Sequence, residues 1–195
     1  MREHSTVPLV DLRKAIIDAK QIGPTYLQTD THWNAFGGFI GYQELVLRLD
    51  KALPAMKLEP ISLSSFAVTN QLQAGGDLAR ILGLSVTESN SLLLNPDPSL
   101  PETTYLPAPP EDPKHPRYTY NPMAKGRAMV FHDSFALRWV RDLAYHFNQV
   151  IYLWQYDLDR TWIEREKPDI VISEMNERFF DIEHPAKLMA QEALN

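Results

Sequence analysis

The sequence predicts an α/β domain built on a mainly parallel sheet with helices on both faces. Three observations predict it. First, the C-terminal half alternates short, continuously apolar strands with helical runs, the pattern of strands buried on two sides. RAMVFH (127–132), QVIYLW (149–154) and DIVISE (169–174) are the strands, and 134–147 and 158–165 are the intervening helices. Second, 195 residues amount to about one domain, so a single domain over 1–195 is expected. Third, 44% hydrophobic and 23% charged residues describe a packed globular chain, not a disordered or collagen-like one.

In chain order, Val7–Leu12 reads as a buried strand. It starts with no lead-in, so the chain reads as N-terminally truncated. Leu12–Lys20 is a short helix with Leu12, Ala15, Ile16 and Ala19 on one face, broken by Gly23-Pro24. Thr25–Asn34 is a loop rich in Thr, Asp and His. Ala35–Leu53 is the strongest helix, with Asn34 as N-cap, Phe36, Ile40 and Leu47 on its apolar face and Pro54 as its stop. Gly37, Gly38 and Gly41 lie near its start. Each weakens a helix by roughly 1 kcal/mol, which close backbone packing would justify. DLARILGL (77–84) is a short helix capped by Asp77. Residues 95–122 hold nine of the fifteen prolines and read as a surface excursion, because proline cannot donate to a sheet ladder. Pro185–Leu194 reads as a terminal helix with proline in its first turn.

Composition excludes several functions. The net charge is −6 and the pI about 5.5, unsuited to general nucleic-acid binding. The absence of cysteine excludes disulfides, zinc–thiolate sites and a cysteine nucleophile. No stretch approaches the ~20 apolar residues of a membrane helix, and no signal peptide is visible.

Two segments can carry chemistry. Ligands of open parallel sheets bind beyond the carboxyl ends of the strands, which selects His132-Asp133-Ser134-Phe135. A serine at this corner presents its hydroxyl at the sheet edge, and N–H groups at the start of the next helix can hold an oxyanion. The alternative is that Ser134 or Asp133 only caps the helix. The second segment is Asp30-Thr31-His32-Trp33-Asn34. Side chains two apart in an extended stretch project together, so Asp30 can fix the His32 imidazole and leave its other nitrogen to take a proton. The alternative is that Asp30 or Asn34 caps the helix while His32 packs on Trp33. Together the segments supply nucleophile, base and orienting acid.

TDTHWNAFGGFIGYQEL, about a hundred residues before VFHDSFA, resembles the alginate O-acetyltransferase AlgX/AlgJ-type family, whose SGNH-hydrolase-like domains acetylate secreted polysaccharides. VPLVDLRKAI, QAGGDLARILGL and KPDIVISEMNERFF fit the same pattern. The resemblance implies Ser134 as nucleophile, His32 as general base and Asp30 as its partner. It implies a polysaccharide acceptor, an acetyl donor supplied through a membrane-bound O-acyltransferase, no cofactor, and a periplasmic or cell-envelope location. Two departures stand out: His132 replaces the small glycine usual before Asp-Ser, and the family's domain begins earlier than this chain.

Around these residues, Asp133 reads as a cap or turn residue, and Glu174 and Arg178 as a salt bridge shaping the site. Trp33 is a candidate sugar-stacking residue that core packing would equally explain. Tyr152, Trp154 and Tyr156 read as core. His4, His115, His146 and His184 read as surface or satisfied structural residues. Arg117, Lys125 and Arg127 could offset the acidic charge for an anionic polymer, and 95–122 could wall the acceptor groove. Competing readings are a metal-dependent phosphoesterase using Asp30, His32, His132 and Asp133, a polysaccharide-binding domain without activity, and an acetylesterase using the same triad.

Overall fold

The computed structural model describes residues 7–179, so His4, His184 and the expected terminal helix lie outside the described residues. Helix α1 (Arg13–Ala19) is followed by the loop that bears His32 and by helix α2 (Ala35–Ala52). Strands β1 (Ala67–Ala74) and β2 (Thr87–Leu94) form an antiparallel hairpin with helix α3 (Asp77–Ile81) in its connection. Strands β3 (Thr104–Leu106), β4 (Arg117–Tyr120), β5 (Arg127–Phe131), β6 (Gln149–Leu153) and β7 (Ile170–Ser173) form one sheet in the order β3-β4-β6-β5-β7. A 3-10 turn over Phe135–Trp139 and helix α4 (Val140–Ala144) link β5 to β6, and helix α5 (Arg160–Glu166) links β6 to β7.

This sheet is mixed, which corrects the mainly parallel expectation. β6, β5 and β7 pair in parallel, whereas β3–β4 and β4–β6 pair antiparallel. β3 and β4 lie within the proline-rich 95–122, read as a surface excursion. The prolines flank these two short strands and leave their N–H groups intact. The hairpin was missed because its β1 face is polar and almost wholly exposed, so it lacks the apolar alternation that marks a half-buried strand. Val7–Leu12 is not a strand: Pro8 lacks an N–H donor, and Val7 and Leu9 are exposed.

From β5 the chain crosses to β6 on one side and returns to β7 on the other. Such a reversal opens a crevice at the carboxyl end of the strand where it occurs. It also places the helices on opposite faces. Val140 and Leu143 of α4 pack with Ala128 and Val130 and with Phe39, Tyr42 and Val46 of α2. Trp162 and Ile163 of α5 cover Met129, Phe131, Ile151 and Leu153. Alternating β5 side chains thus feed two cores, which explains why the strand reads as continuously apolar. Tyr152 is core as expected, its hydroxyl donating to the Val140 carbonyl at 3.1 Å.

Helix α2 begins as the sequence indicates: the Asn34 side chain accepts the Gly37 N–H at 2.8 Å. Its glycines mark close packing. A Cβ at Gly37 would lie 2.9 Å from the Thr25 carbonyl carbon, one at Gly38 would lie 2.8 Å from Arg138 Cβ, and one at Gly41 would lie 3.1 Å from the Trp33 ring. Leu47, assigned to the apolar face, is instead exposed, and Phe39, Tyr42, Leu45, Val46 and Leu49 form the buried stripe. His146 is a satisfied structural residue. Burial pushes it down to about 4, so its neutral Nε2 accepts the Tyr42 hydroxyl proton at 2.6 Å.

Gly37→Ala is expected to destabilise the fold by about 1–3 kcal/mol, because the Thr25 backbone cannot move aside cheaply. Gly23→Ala, with open space around it, is expected to stay within about 0.5 kcal/mol of wild type. Denaturant unfolding of the two variants reads the contrast.

Candidate active site

The site lies where β5 ends. Ser134 directly precedes the 3-10 turn, with helical backbone angles and no capping bond from its side chain. Its hydroxyl instead meets His32 Nε2 at 2.7 Å, across 102 positions of sequence. His32 Nδ1 faces Asp30 Oδ1 at 2.6 Å, and the same oxygen accepts the His32 backbone N–H at 2.9 Å. A carboxylate on Nδ1 fixes the tautomer with its proton there and leaves Nε2 to accept the Ser134 proton. The capping alternatives fall to other residues: Asn34 caps α2, and Asp133 Oδ1 accepts the Phe135 N–H at 2.8 Å. The His32 ring packs on Phe135, with centroids 4.9 Å apart.

The loop carrying Asp30 and His32 is held by two acids that the sequence did not connect with it, Glu88 and Asp77. Glu88 of β2 accepts the Gln28 N–H at 2.6 Å, the Thr29 N–H at 3.3 Å and the Thr29 hydroxyl. Asp77 was expected to cap α3, but it is the first residue of that helix and Gly76 stands at the cap. Its carboxylate accepts the Thr31 N–H at 2.8 Å and the Thr31 hydroxyl at 2.5 Å, and lies 3.9 Å from His32 Nδ1. Desolvation alone would raise Asp77, but the Thr31 hydrogen bonds and the adjacent imidazole outweigh it and hold the carboxyl below its ordinary range. At Gly76 a Cβ would lie 2.6 Å from Asp30 Cγ, so the site requires glycine there. The Gly-Asp pair within a polar hairpin was the available signal for this support.

Trp33 is buried, and its indole N–H donates to the Phe135 carbonyl at 3.1 Å. It packs against Phe135 and Trp139, which is core packing and not an open stacking platform. His132 is fully buried between Tyr152 and Trp154, and burial lowers its pKa. Its Nδ1 lies 2.5 Å from the Asp133 carbonyl, so this histidine faces away from the Ser134 hydroxyl. The four metal ligands weighed in the sequence therefore do not converge. Among the described residues, Asp30, His32 and Asp77 are the acids and imidazole whose ligand atoms come together.

Two expectations about the surroundings change. The Phe135 N–H, expected to hold an oxyanion, is taken by Asp133, and the Ala136 N–H meets the Glu174 carboxyl. This leaves the Ser134 N–H, which has no acceptor among the described residues. Glu174 does not pair with Arg178. Its Oε2 accepts the Asp133 N–H at 3.2 Å, while the Arg178 guanidinium lies over the Phe179 ring at 4.7 Å.

A cleft of about 460 Å³ over the serine is lined by Leu27, Asp30, His32, Trp33, Ser134, Leu137 and Arg138. A second cleft of about 610 Å³ shares Leu137 and Arg138 with it. The wall of this second cleft includes Leu92–Leu94 of the hairpin together with Thr103, Tyr105, Arg117 and Thr119. The last four come from the proline-rich segment.

Comparison with known proteins bears on the family and the fold. The profile of the SGNH hydrolase-like domain, acetyltransferase AlgX, matches residues 2–117, which include Asp30 and His32 and stop short of Ser134. No curated protein sequence matches the chain. Among solved structures, a DHHW family protein from Eubacterium siraeum aligns with a TM-score of 0.67 at 13% identity, over 89% of this chain and 66% of that one. Bacillus cereus PatB1, solved with a sulfonyl adduct, aligns with a TM-score of 0.67 at 19% identity, over 87% of this chain and 66% of that one. The chain thus spans just under two thirds of the length of these structures, and at such identities the likeness is one of fold.

A strongly downfield imidazole N–H resonance is expected in the proton NMR spectrum, from the proton between His32 and Asp30. It should vanish in Asp30→Ala and in Gly76→Ala, the latter because the added methyl displaces the Asp30 carboxylate. Its persistence in Gly76→Ala would contradict the packing described.

Proposed function

The chain belongs to the SGNH hydrolase-like acetyltransferase AlgX family, and on that premise we propose that it moves an acetyl group through Ser134 to hydroxyls of an exported polysaccharide such as alginate. The observation that carries the reading is the unbroken hydrogen-bonded chain Asp30–His32–Ser134 at the mouth of a cleft. A domain that only bound glycan would have no need of it.

The mechanism is double displacement. His32 Nε2 takes the Ser134 proton as Oγ attacks the carbonyl carbon of an acetyl ester. The proposed holders of the resulting oxyanion are the Ser134 N–H and Arg138, a residue that lines the same cleft and forms no ion pair among the described residues. The imidazolium formed on His32 is stabilised by Asp30 at 2.6 Å, with Asp77 at 3.9 Å adding to the field. His32 returns the proton to the leaving oxygen as the ester C–O bond breaks. An acceptor hydroxyl then gives its proton to His32 and attacks the acetyl-serine, and collapse restores Oγ–H. Water in place of the sugar would give an acetylesterase by the same steps. The second cleft is proposed as the acceptor site because it opens beside the serine. The acetyl group is proposed to arrive through a membrane-bound O-acyltransferase partner, and the location is proposed to be the periplasm or cell envelope. No helix among the described residues is long and apolar enough to cross a membrane.

Intact-mass spectrometry after incubation with an activated acetyl ester tests the nucleophile. Wild type should gain one acetyl group on Ser134. Ser134→Ala and His32→Ala should not, with turnover lowered by ~10⁴-fold or more. Equal acetylation of folded Ser134→Ala would refute the assignment. Tyr105 lines only the second cleft and is about half exposed. Tyr105→Ala should leave acyl-enzyme formation unchanged and raise the acceptor KM about tenfold, the loss of one aromatic contact. An unchanged acceptor KM would move the acceptor elsewhere.

A further inference from the structure

The nucleophile's turn is anchored by two carboxyl groups from the ends of adjacent parallel strands. Asp133 follows β5 and is almost fully buried. Its Oδ1 accepts the Phe135 N–H and its Oδ2 the Asn176 N–H, each at 2.8 Å. Glu174 follows β7, and its own N–H donates to the Phe131 carbonyl at 2.8 Å. Its carboxyl accepts the Asp133 N–H at 3.2 Å, meets the Ala136 N–H and faces the Asp133 carboxyl. The bonds from these two acids therefore bracket Ser134 at residues 133, 135 and 136 and tie it to the start of the segment after β7.

Two carboxyls in hydrogen-bond contact, Asp133 buried and Glu174 half-buried, cannot both be ionised without strong repulsion. Each carboxyl accepts two backbone N–H groups, but Asp133 holds both of its donors at 2.8 Å whereas the Asp133 N–H reaches Glu174 only at 3.2 Å, and the shorter bonds favour the charge on Asp133. The proton of the pair then belongs to Glu174, whose O–H can donate to Asp133. We propose that Asp133 and Glu174 form a proton-sharing carboxyl pair that positions the Ser134 turn against His32, so that loss of this proton releases the nucleophile from register. Glu174 is accordingly a positioning residue that touches no reacting atom.

Among the described residues, no cation compensates the pair. Asp133 is the charged side chain that acts on Glu174. Phe131 and Ala136 offer backbone groups only. Arg178 stacks on Phe179, and the buried neutral His132 is turned to the Asp133 carbonyl, Tyr152 and Trp154. Burial and the Asp133 charge together push the Glu174 carboxyl up to about 8. An acid raised in the folded state stabilises the fold fully below its unfolded value, about 4.5, and that stability is lost as pH rises through about 8.

The test rests on Ser134 as nucleophile for one readout and is independent of it for the other. The first is the rate of Ser134 modification by a sulfonyl fluoride, followed by mass spectrometry from about pH 7 to about pH 9.5, spanning the Glu174 transition. Wild type should lose reactivity through about pH 8. Glu174→Gln, whose amide still donates to Asp133, should stay close to wild type at neutral pH and lack this decline. Glu174→Ala should react at least about tenfold more slowly at neutral pH, as expected for a displaced nucleophile. The second readout is the melting temperature between about pH 4.5 and 8, which should fall with pH in wild type and less in Glu174→Gln. An identical alkaline decline and identical melting slope in wild type and Glu174→Gln would overturn the proposal, whether or not Glu174→Ala folds. An unreactive wild-type serine with the expected difference in melting slope would instead overturn Ser134 as nucleophile and leave the carboxyl pair standing.

Discussion

The hydrogen bond from the Trp33 indole to the Phe135 carbonyl governs the geometry of this protein. It joins the residue after His32 to the residue after Ser134, and so couples two loops that are distant in sequence. The coupling is buried: Trp33 packs on Phe135 and Trp139, and Trp139 donates its own indole N–H to the Gly38 carbonyl at 3.0 Å. In such surroundings an unmade hydrogen bond is expensive, roughly 1–3 kcal/mol for each stranded group. The two loops therefore dock in one register. The Ser134–His32 distance is a consequence of that docking more than of any contact between the two side chains.

Carboxylates do most of the remaining fixing. Glu88, Asp77 and Asp30 accept N–H and O–H groups from the histidine loop, while Asp133 and Glu174 do the same for the serine turn. Each acid is anchored on a different element, and each reaches backbone donors that the sheet and helices leave unpaired. This gives the chain's acidic balance a local meaning: the carboxylates near the site act as acceptors for loop backbone. Arg141 plays the complementary part, pairing with buried Asp142 at 2.7 Å, donating to the Leu93 carbonyl at 2.8 Å and covering the Phe66 ring. That one side chain docks the hairpin bearing Glu88 onto α4.

Much of this was legible in the sequence where one residue type has one physical use. Asn34 before an apolar helical run could only cap it, and three glycines clustered in that helix signalled backbone in close contact. Asp30 and His32 two apart, with serine at a strand's end, named the three side chains that the fold brings into one hydrogen-bonded chain. What the sequence hid depended on long-range partners. Strand β1 is almost wholly exposed and β2 buries the polar Glu88 and Asn90 beside Leu93, so no apolar periodicity announced them. Glu174 resembled half of a local salt bridge with Arg178, because carbon spacing along the chain cannot reveal that Asp133 lies on the adjacent strand. Phe135 looked like an oxyanion donor until its N–H proved to be committed to the side chain of Asp133.

That commitment bears on how the site divides its work. With the N–H groups of residues 135 and 136 occupied by carboxyls, the proposed mechanism leaves the oxyanion of a reacting ester to the Ser134 N–H and to Arg138 at the cleft wall. Arg138 stands at the junction of the two clefts. A guanidinium so placed can face charge developing on the acyl group in one step and groups of the arriving acceptor in the next. The lesser provision of backbone donors is suited to a double displacement, in which the acyl-serine must persist long enough for a second substrate to enter. Deep stabilisation of the oxyanion would speed attack by water as readily as by sugar, because both pass through the same tetrahedral geometry. In that proposal selectivity for a sugar hydroxyl falls to the second cleft, part of whose wall comes from the proline-flanked strands and the hairpin. Prolines on both sides of β3 and β4 hold that wall at low conformational-entropy cost, so the proposed acceptor surface is fixed by the same segment that sequence alone shows only as irregular.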